Sequence, residues 1–130
     1  MGIQLTSIHH VAIICSDYAR SKWFYTELLG LNILAEHYRE ERQSWKLDLG
    51  LGENYVIELF SFPEAPARLS RPEACGLRHL AFAVADLEKA IAFLHTARWE
   101  TEAIRVDEFT GKRFCFFADP DGLPIEFYES

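Results

Sequence analysis

The chain has 130 residues, 13 basic and 20 acidic side chains, 49% apolar residues and a formal net charge of −7. That length admits one domain, or two very small modules sharing a core, and the composition is that of a folded chain rather than a disordered one. The negative balance argues against a nucleic-acid partner, no apolar run approaches the roughly 20 residues that span a bilayer, and the opening MGIQLTSIHH lacks the basic and apolar regions of a signal peptide. Cys15, Cys75 and Cys115 form an odd set without Cys-x-x-Cys spacing. Neither a disulfide framework nor a thiolate zinc site is expected, and the reading is of reduced thiols in a cytoplasmic protein.

Taken from the N-terminus, residues 9–15 read as a strand, with Asp17 as the N-cap of a helix. That helix repeats apolar residues at Trp23, Phe24, Leu28 and Leu31, and Gly30 is its stop signal. Three β-like runs follow, Asn32–Tyr38, Ser44–Leu51 and Tyr55–Phe62. Pro63–Gly76, with three prolines, reads as a loop. Residues 78–84 read as a strand again, Asp86 as an N-cap, and Leu87, Ala90, Ile91 and Leu94 as a helix face. The last strands are expected near Glu100–Val106, Arg113–Phe117 and Pro124–Tyr128, with a turn at Asp119–Gly122.

The second half therefore repeats the first. At an offset of 69, His10 falls on His79, Ala12 on Ala81, Asp17 on Asp86 and Phe24 on Phe93. At an offset of 68, YVIEL (residues 55–59) falls on LPIEF (123–127), and Glu58 on Glu126. The expected fold is α+β, with two tandem βαβββ modules at about residues 5–62 and 77–130 within one domain, 1–130. Neither module covers its own sheet, so the two must pack together.

Strand alternation sets His10 on one face with Ala12 and Ile14, and His79 with Ala81 and Ala83. The bulkier neighbours face the helices, which leaves space beside each imidazole. Glu58 and Glu126 sit inside apolar runs, where a carboxylate must be paired, protonated or bound to metal. Two imidazoles and two carboxylates at equivalent repeat positions suit a divalent first-row ion, with positions left for water or substrate. Arg39, Arg42 and Lys46, with Lys112 and Arg113, would grip an anionic substrate or simply be solvated flanks. Trp45, Phe60, Phe114 and Phe116 would line the cavity or fill the core.

The segments HHVAIICSD, YVIEL, RHLAFAVAD and DPDGLPIEF resemble the four ligand motifs of the vicinal oxygen chelate superfamily, which includes glyoxalase I, fosfomycin-resistance thiol transferases, methylmalonyl-CoA epimerase and extradiol dioxygenases. The resemblance covers nearly the whole chain and implies a curved mixed sheet with metal ligands at His10, Glu58, His79 and Glu126. His9 is the competing first ligand, but His10 is the one seven residues before the Asp, as His79 is. Glutamate at the second position makes the chain similar to glyoxalase I. Two residues that serve glutathione in the bacterial enzymes, an Arg and an Asn, are replaced here by Ile14 and Phe62.

The activity so implied is that of a metal-dependent lyase or isomerase. A small substrate with vicinal oxygens would chelate one Ni, Co, Mn or Zn ion, which stabilises the enediolate left by proton removal. Glu126 is the implied base and Glu58 the runner-up. A homodimer is the implied assembly. The competing readings are a drug-sequestering protein of the same architecture, as in bleomycin resistance, and a thiol transferase.

Overall fold

The computed structural model describes residues 1–130, which divide into two compact units, Met1–Pro66 and Ala67–Ser130. The first contains β1 (Val11–Cys15), α1 (Tyr18–Trp23), β2 (Asn32–Arg39), β3 (Ser44–Leu51) and β4 (Asn54–Ser61). Its sheet runs β1-β4-β3-β2, with β1 parallel to β4 and the other pairs antiparallel. The second contains β5 (Leu80–Val84), α2 (Leu87–Thr96), β6 (Arg105–Val106), β7 (Arg113–Ala118) and β8 (Pro124–Glu129), with sheet order β5-β8-β7-β6 and the same sense of pairing. This is the doubled βαβββ, α+β architecture that the sequence predicts.

Local chemistry accounts for the element ends. The side chains of Asp17 and Asp86 accept hydrogen bonds from the backbone N–H of Arg20 and Lys89 at 3.1 and 3.0 Å, filling orphan donors at the first turn of each helix. Beyond α1 the chain widens into a π-helical turn at Phe24–Leu28 before Gly30, whose φ of 77° ends it. That turn corrects one expectation: Trp23 is 40% exposed, whereas Phe24 and Tyr25 are fully buried. Three successive large side chains cannot all face one core at 100° spacing, and the latter two take it. Gly50, at the register shift before the β3–β4 turn, has no room for a side chain, since a Cβ there would lie 3.0 Å from the carbonyl oxygens of Asn54 and Gly52.

Each sheet buries one face on its own helix side. Leu47, Leu49, Ile57 and Leu59 are fully excluded from solvent in the first unit, as are Cys115 and Ile125 in the second, where Leu87 and Leu94 of α2 join them. Each such aliphatic side chain contributes about 1.5–3 kcal/mol of hydrophobic stabilisation. Trp45 belongs to this layer, stacked on Tyr18 of α1 with ring centroids 5.0 Å apart.

Two strand expectations change. β1 and β5 start at Val11 and Leu80, so His10 and His79 stand just ahead of their strands rather than within them. The run from Glu100 shrinks to Arg105–Val106 and an isolated bridge from Thr101 to Phe117. Its residues lack the alternation that would bury one side of an edge strand, and Glu102 to Val106 are exposed. No helix is long and apolar enough to cross a membrane.

Candidate metal centre

The parallel pairing of first and last strand brings the predicted ligands together, and it does so identically in both units. Ala12 lies opposite Glu58 in the β1–β4 register, and Ala81 opposite Glu126 in β5–β8. Directly paired residues share a face, and so do residues two apart, so each histidine points to the side of its glutamate. The result is two matched pairs. His10 Nε2 lies 3.5 Å from Glu58 Oε1, and His79 Nε2 lies 3.3 Å from Glu126 Oε1. All four side chains are partly shielded, from 34% exposed for His10 to 13% for Glu126.

These distances exceed the roughly 2.7–2.9 Å of a charge-assisted hydrogen bond. They fall close to the spacing of about 3.0–3.4 Å that two donors adopt when each sits about 2.1 Å from one ion. Imidazole nitrogen and carboxylate oxygen are also the donor types that first-row divalent ions take. The residues of each pair therefore fit a cation. Each pair is complete within its own unit, and no group of three or more His, Cys, Asp or Glu side chains arranged for a metal is gathered in the chain.

His9, the competing ligand, has a different place. Its Nδ1 lies 2.8 Å from Nδ1 of His10, and the ring of Tyr55 stacks on His10 at 5.0 Å. If His10 presents the Nε2 lone pair toward the glutamate side, its proton resides on Nδ1 and is donated to His9. An imidazole so oriented from behind is the usual arrangement at metal sites.

The sequence reading missed a network around Glu58. Lys46 Nζ contacts Asp48 Oδ1 at 2.6 Å and Glu58 Oε2 at 3.2 Å, while the Tyr55 hydroxyl donates toward Asp48 Oδ1 at 2.9 Å and Glu58 Oε2 at 3.2 Å. Burial opposes ionisation of Asp48, but the hydrogen bonds from Lys46 and Tyr55 outweigh it and hold its carboxyl below the usual range. The same hydrogen bond to Asp48 raises the Lys46 ammonium, and burial with that carboxylate raises the Tyr55 phenol. Strand alternation alone puts Lys46 and Asp48 on one face of β3. The missing signal was the β3–β4 register, which sets Asp48 opposite Glu58.

In the second unit Phe116 lies opposite Glu126 and Phe114 opposite Tyr128. The Phe116 ring meets His79 edge-on at 5.0 Å, and Phe114 stacks with Tyr128 at 6.3 Å. Phe60, Phe114 and Phe116 thus stand on the face that carries the glutamates, and Trp45 stands on the opposite, helix-side face. Of the basic residues, Lys46 is tied to the acids just described, Arg113 is paired with Glu129 and Glu88, and Arg39 lies over the rings of Phe60 and Phe62.

A doubled βαβββ frame with one His–Glu pair per repeat defines a class. Residues 7–127 match the Glyoxalase/Bleomycin resistance protein/Dioxygenase superfamily, and the chain belongs to it. It is 63% identical over 125 residues to the uncharacterised protein YwkD of Bacillus subtilis (strain 168), covering 96% of this chain and 98% of that one. A glyoxalase family protein from Enterococcus faecalis has a similar structure, with 54% identity, a TM-score of 0.88, and coverage of 95% of this chain and 97% of that one. The trypanothione-dependent glyoxalase I of Leishmania major is more distant, at 25% identity, a TM-score of 0.74, and coverage of 96% and 87%.

Proposed function

We propose that the chain is a divalent-metal-dependent, glyoxalase I-like lyase or isomerase acting on a small substrate with vicinal oxygens. The observation that supports this most is the recurrence of one His–Glu pair in the same strand register in both repeats, at ligand spacing. His10, Glu58, His79 and Glu126 are the proposed ligands, and the two modules serve as one functional domain over residues 1–130. The ion is Ni, Co, Mn or Zn. When bound, it supplies Lewis-acid stabilisation of the negative charge that grows on the substrate oxygens as a neighbouring carbon loses its proton.

The residues divide the remaining work. Glu126 takes the proton from carbon and returns it to the adjacent carbon, since its carboxylate has His79 as its one ion-pair partner and is free to turn. Glu58 stays fixed, because Lys46 and Tyr55 both hold its Oε2. Apolar residues around Glu126 exclude water from the step. The Arg and Asn that serve glutathione in similar bacterial enzymes are replaced by Ile14, 55% exposed on the ligand face, and Phe62, which lies under the Arg39 guanidinium, so the proposal does not require glutathione.

The assembly proposed is a cytoplasmic homodimer. The apolar side chains of Ile3, Leu5 and Ile8 are 87–88% exposed and offer a surface for a second copy. Solution mass measurement checks this.

Elemental analysis of the purified protein tests the central claim. A stoichiometric first-row ion is expected, and both His10→Ala and His79→Ala should lose it. No ion and no affinity for Ni²⁺, Co²⁺, Mn²⁺ or Zn²⁺ in the parent protein would overturn the proposal in favour of a metal-free binding protein, and loss in only one of the two variants would overturn the shared ligand set.

A further inference from the structure

Resting on the metal-site reading above, we infer that the substrate carries a carboxylate or phosphoryl group at the end remote from its chelating oxygens, and that Arg39 receives it. Arg39 ends β2 on the ligand face, because it pairs with Ser44, and Ser44, Lys46 and Asp48 alternate along β3 toward the position opposite Glu58. Its guanidinium lies 4.8 Å from the ring centroid of Phe60 and 5.7 Å from that of Phe62. The two rings stack 5.9 Å apart, forming a floor that holds a guanidinium by cation–π attraction.

The donors of this group are only partly used. Nη2 gives one hydrogen bond to Ser44 Oγ at 2.8 Å, Nε is buried without a hydrogen-bond partner, and the group makes no ion pair. What remains is the outer edge, where the Nη1 and Nη2 hydrogens form a fork matched to two oxygens of one anion. A protein of net charge −7 with 20 carboxylates has left this cation without one. The second unit shows the alternative: Arg105 lies over Phe114 and Phe116 at 5.1 and 5.3 Å in the same way, yet its Nη2 has Glu102 at 3.6 Å.

Position sets the length of the ligand. Phe60 follows Glu58 by two residues, roughly 6.6 Å along the strand and on the same side. A chain of four to six atoms between the chelating oxygens and the terminal anion spans that distance. The probes are therefore 2-hydroxyglutarate, 3-phosphoglycerate and 2-hydroxypentanoate. All three carry a 2-hydroxycarboxylate, while the first two add a terminal carboxylate or phosphoryl group and the third ends in a methyl.

Calorimetric titration of the Ni²⁺-loaded protein should show at least one anionic probe binding about tenfold or more tighter than 2-hydroxypentanoate, the size expected of a charge-assisted pair. Whichever of the two is tighter names the terminal group. Arg39→Gln should bring the preference to within about twofold, and Arg39→Lys, which keeps charge but not the fork, should fall between. A second readout needs no ion: in the chelator-treated protein, the Arg39 Nε–H resonance should shift with 2-hydroxyglutarate and not with 2-hydroxypentanoate. Equal affinity of all three probes, or an unchanged preference in Arg39→Gln, would overturn the inference where the ion is bound. An unmoved Arg39 resonance would overturn it even where no ion binds, which separates its failure from that of the metal reading.

Discussion

Around His10 and Glu58 the ligand face is polar, whereas around His79 and Glu126 it is lined with rings. At the offset that superimposes the two glutamates, Lys46 corresponds to Phe114, Asp48 to Phe116 and Tyr55 to Leu123. At the offset that superimposes the histidines, His9 corresponds to Arg78, an exposed residue that pairs with Glu73. Register explains what is shared, because a one-residue slip in β4 or β8 would send the glutamate to the helix side. Nothing in the register constrains the neighbours, and these have diverged. Two carboxylates in equivalent places therefore have unequal freedom, one tied through Oε2 by an ammonium and a phenol, the other paired with a histidine alone.

The largest consequence concerns proton transfer. Glu126→Gln should reduce solvent–carbon proton exchange on a turned-over substrate by about 10²–10⁴-fold, the span typical of a lost general base. Glu58→Gln keeps an oxygen for the ion; it should weaken Ni²⁺ binding by about tenfold and, once Ni²⁺ saturates the site, slow exchange by no more than about tenfold. Exchange measured by deuterium incorporation with saturating Ni²⁺ separates the two. Equal losses would erase the distinction between the units, and the reverse order would make Glu58 the base.

A smaller effect is expected one layer behind the ligands. His9→Phe keeps a ring beside Tyr55 but removes the acceptor for His10 Nδ1–H, and should weaken Ni²⁺ or Co²⁺ binding by about 10–100-fold. His9→Asn, whose side-chain oxygen replaces the acceptor, should recover most of it. Arg78→Ala, at the corresponding place in the second unit, should leave the affinity unchanged, since the Arg78 guanidinium is engaged by Glu73. Competition titration reads all three variants, and a His9→Phe affinity within twofold of the parent would assign His9 no positioning role.

Much of this was legible in the sequence, for identifiable reasons. Strand alternation set His10 with Ala12 and His79 with Ala81, because side-chain direction in a strand follows from counting, and the repeat offset gave Glu58 and Glu126 equivalent places. That each histidine meets its glutamate is set by the β1–β4 and β5–β8 register. Asp17 and Asp86 announced their helices because a cap acts through its immediate neighbours. The partners that distinguish the units were not legible. Lys46, Asp48 and Tyr55 meet Glu58 only through the β3–β4 pairing, and nothing local in YREERQSWK separates the free Arg39 from the tied Lys46. The π-helical turn that turns Phe24 and Tyr25 inward and leaves Trp23 exposed is likewise a packing outcome, beyond what a 3.6-residue period resolves.

The contrast between the units finally predicts a stability effect. Asp48 and Glu58 lie opposite each other on neighbouring strands, and the ammonium of Lys46 stands between their oxygens. Lys46→Met would leave two facing carboxylates without a cation, and like charges directly across a strand pair are destabilising. With these groups 15–28% exposed, the cost should be about 1–2 kcal/mol. Adding Asp48→Leu removes the repulsion and imitates the second unit, where Phe114 and Phe116 take the places of Lys46 and Asp48 and no second carboxylate faces Glu126 across the strand pair. The double variant should therefore be more stable than Lys46→Met alone, although it has lost one more hydrogen-bonding group. Chemical denaturation in the presence of a chelator keeps ion binding out of the comparison. If the double variant is the less stable of the two, the polar cluster contributes packing or hydrogen bonding beyond charge balance, and the apolar surroundings of Glu126 are no guide to what the first unit tolerates.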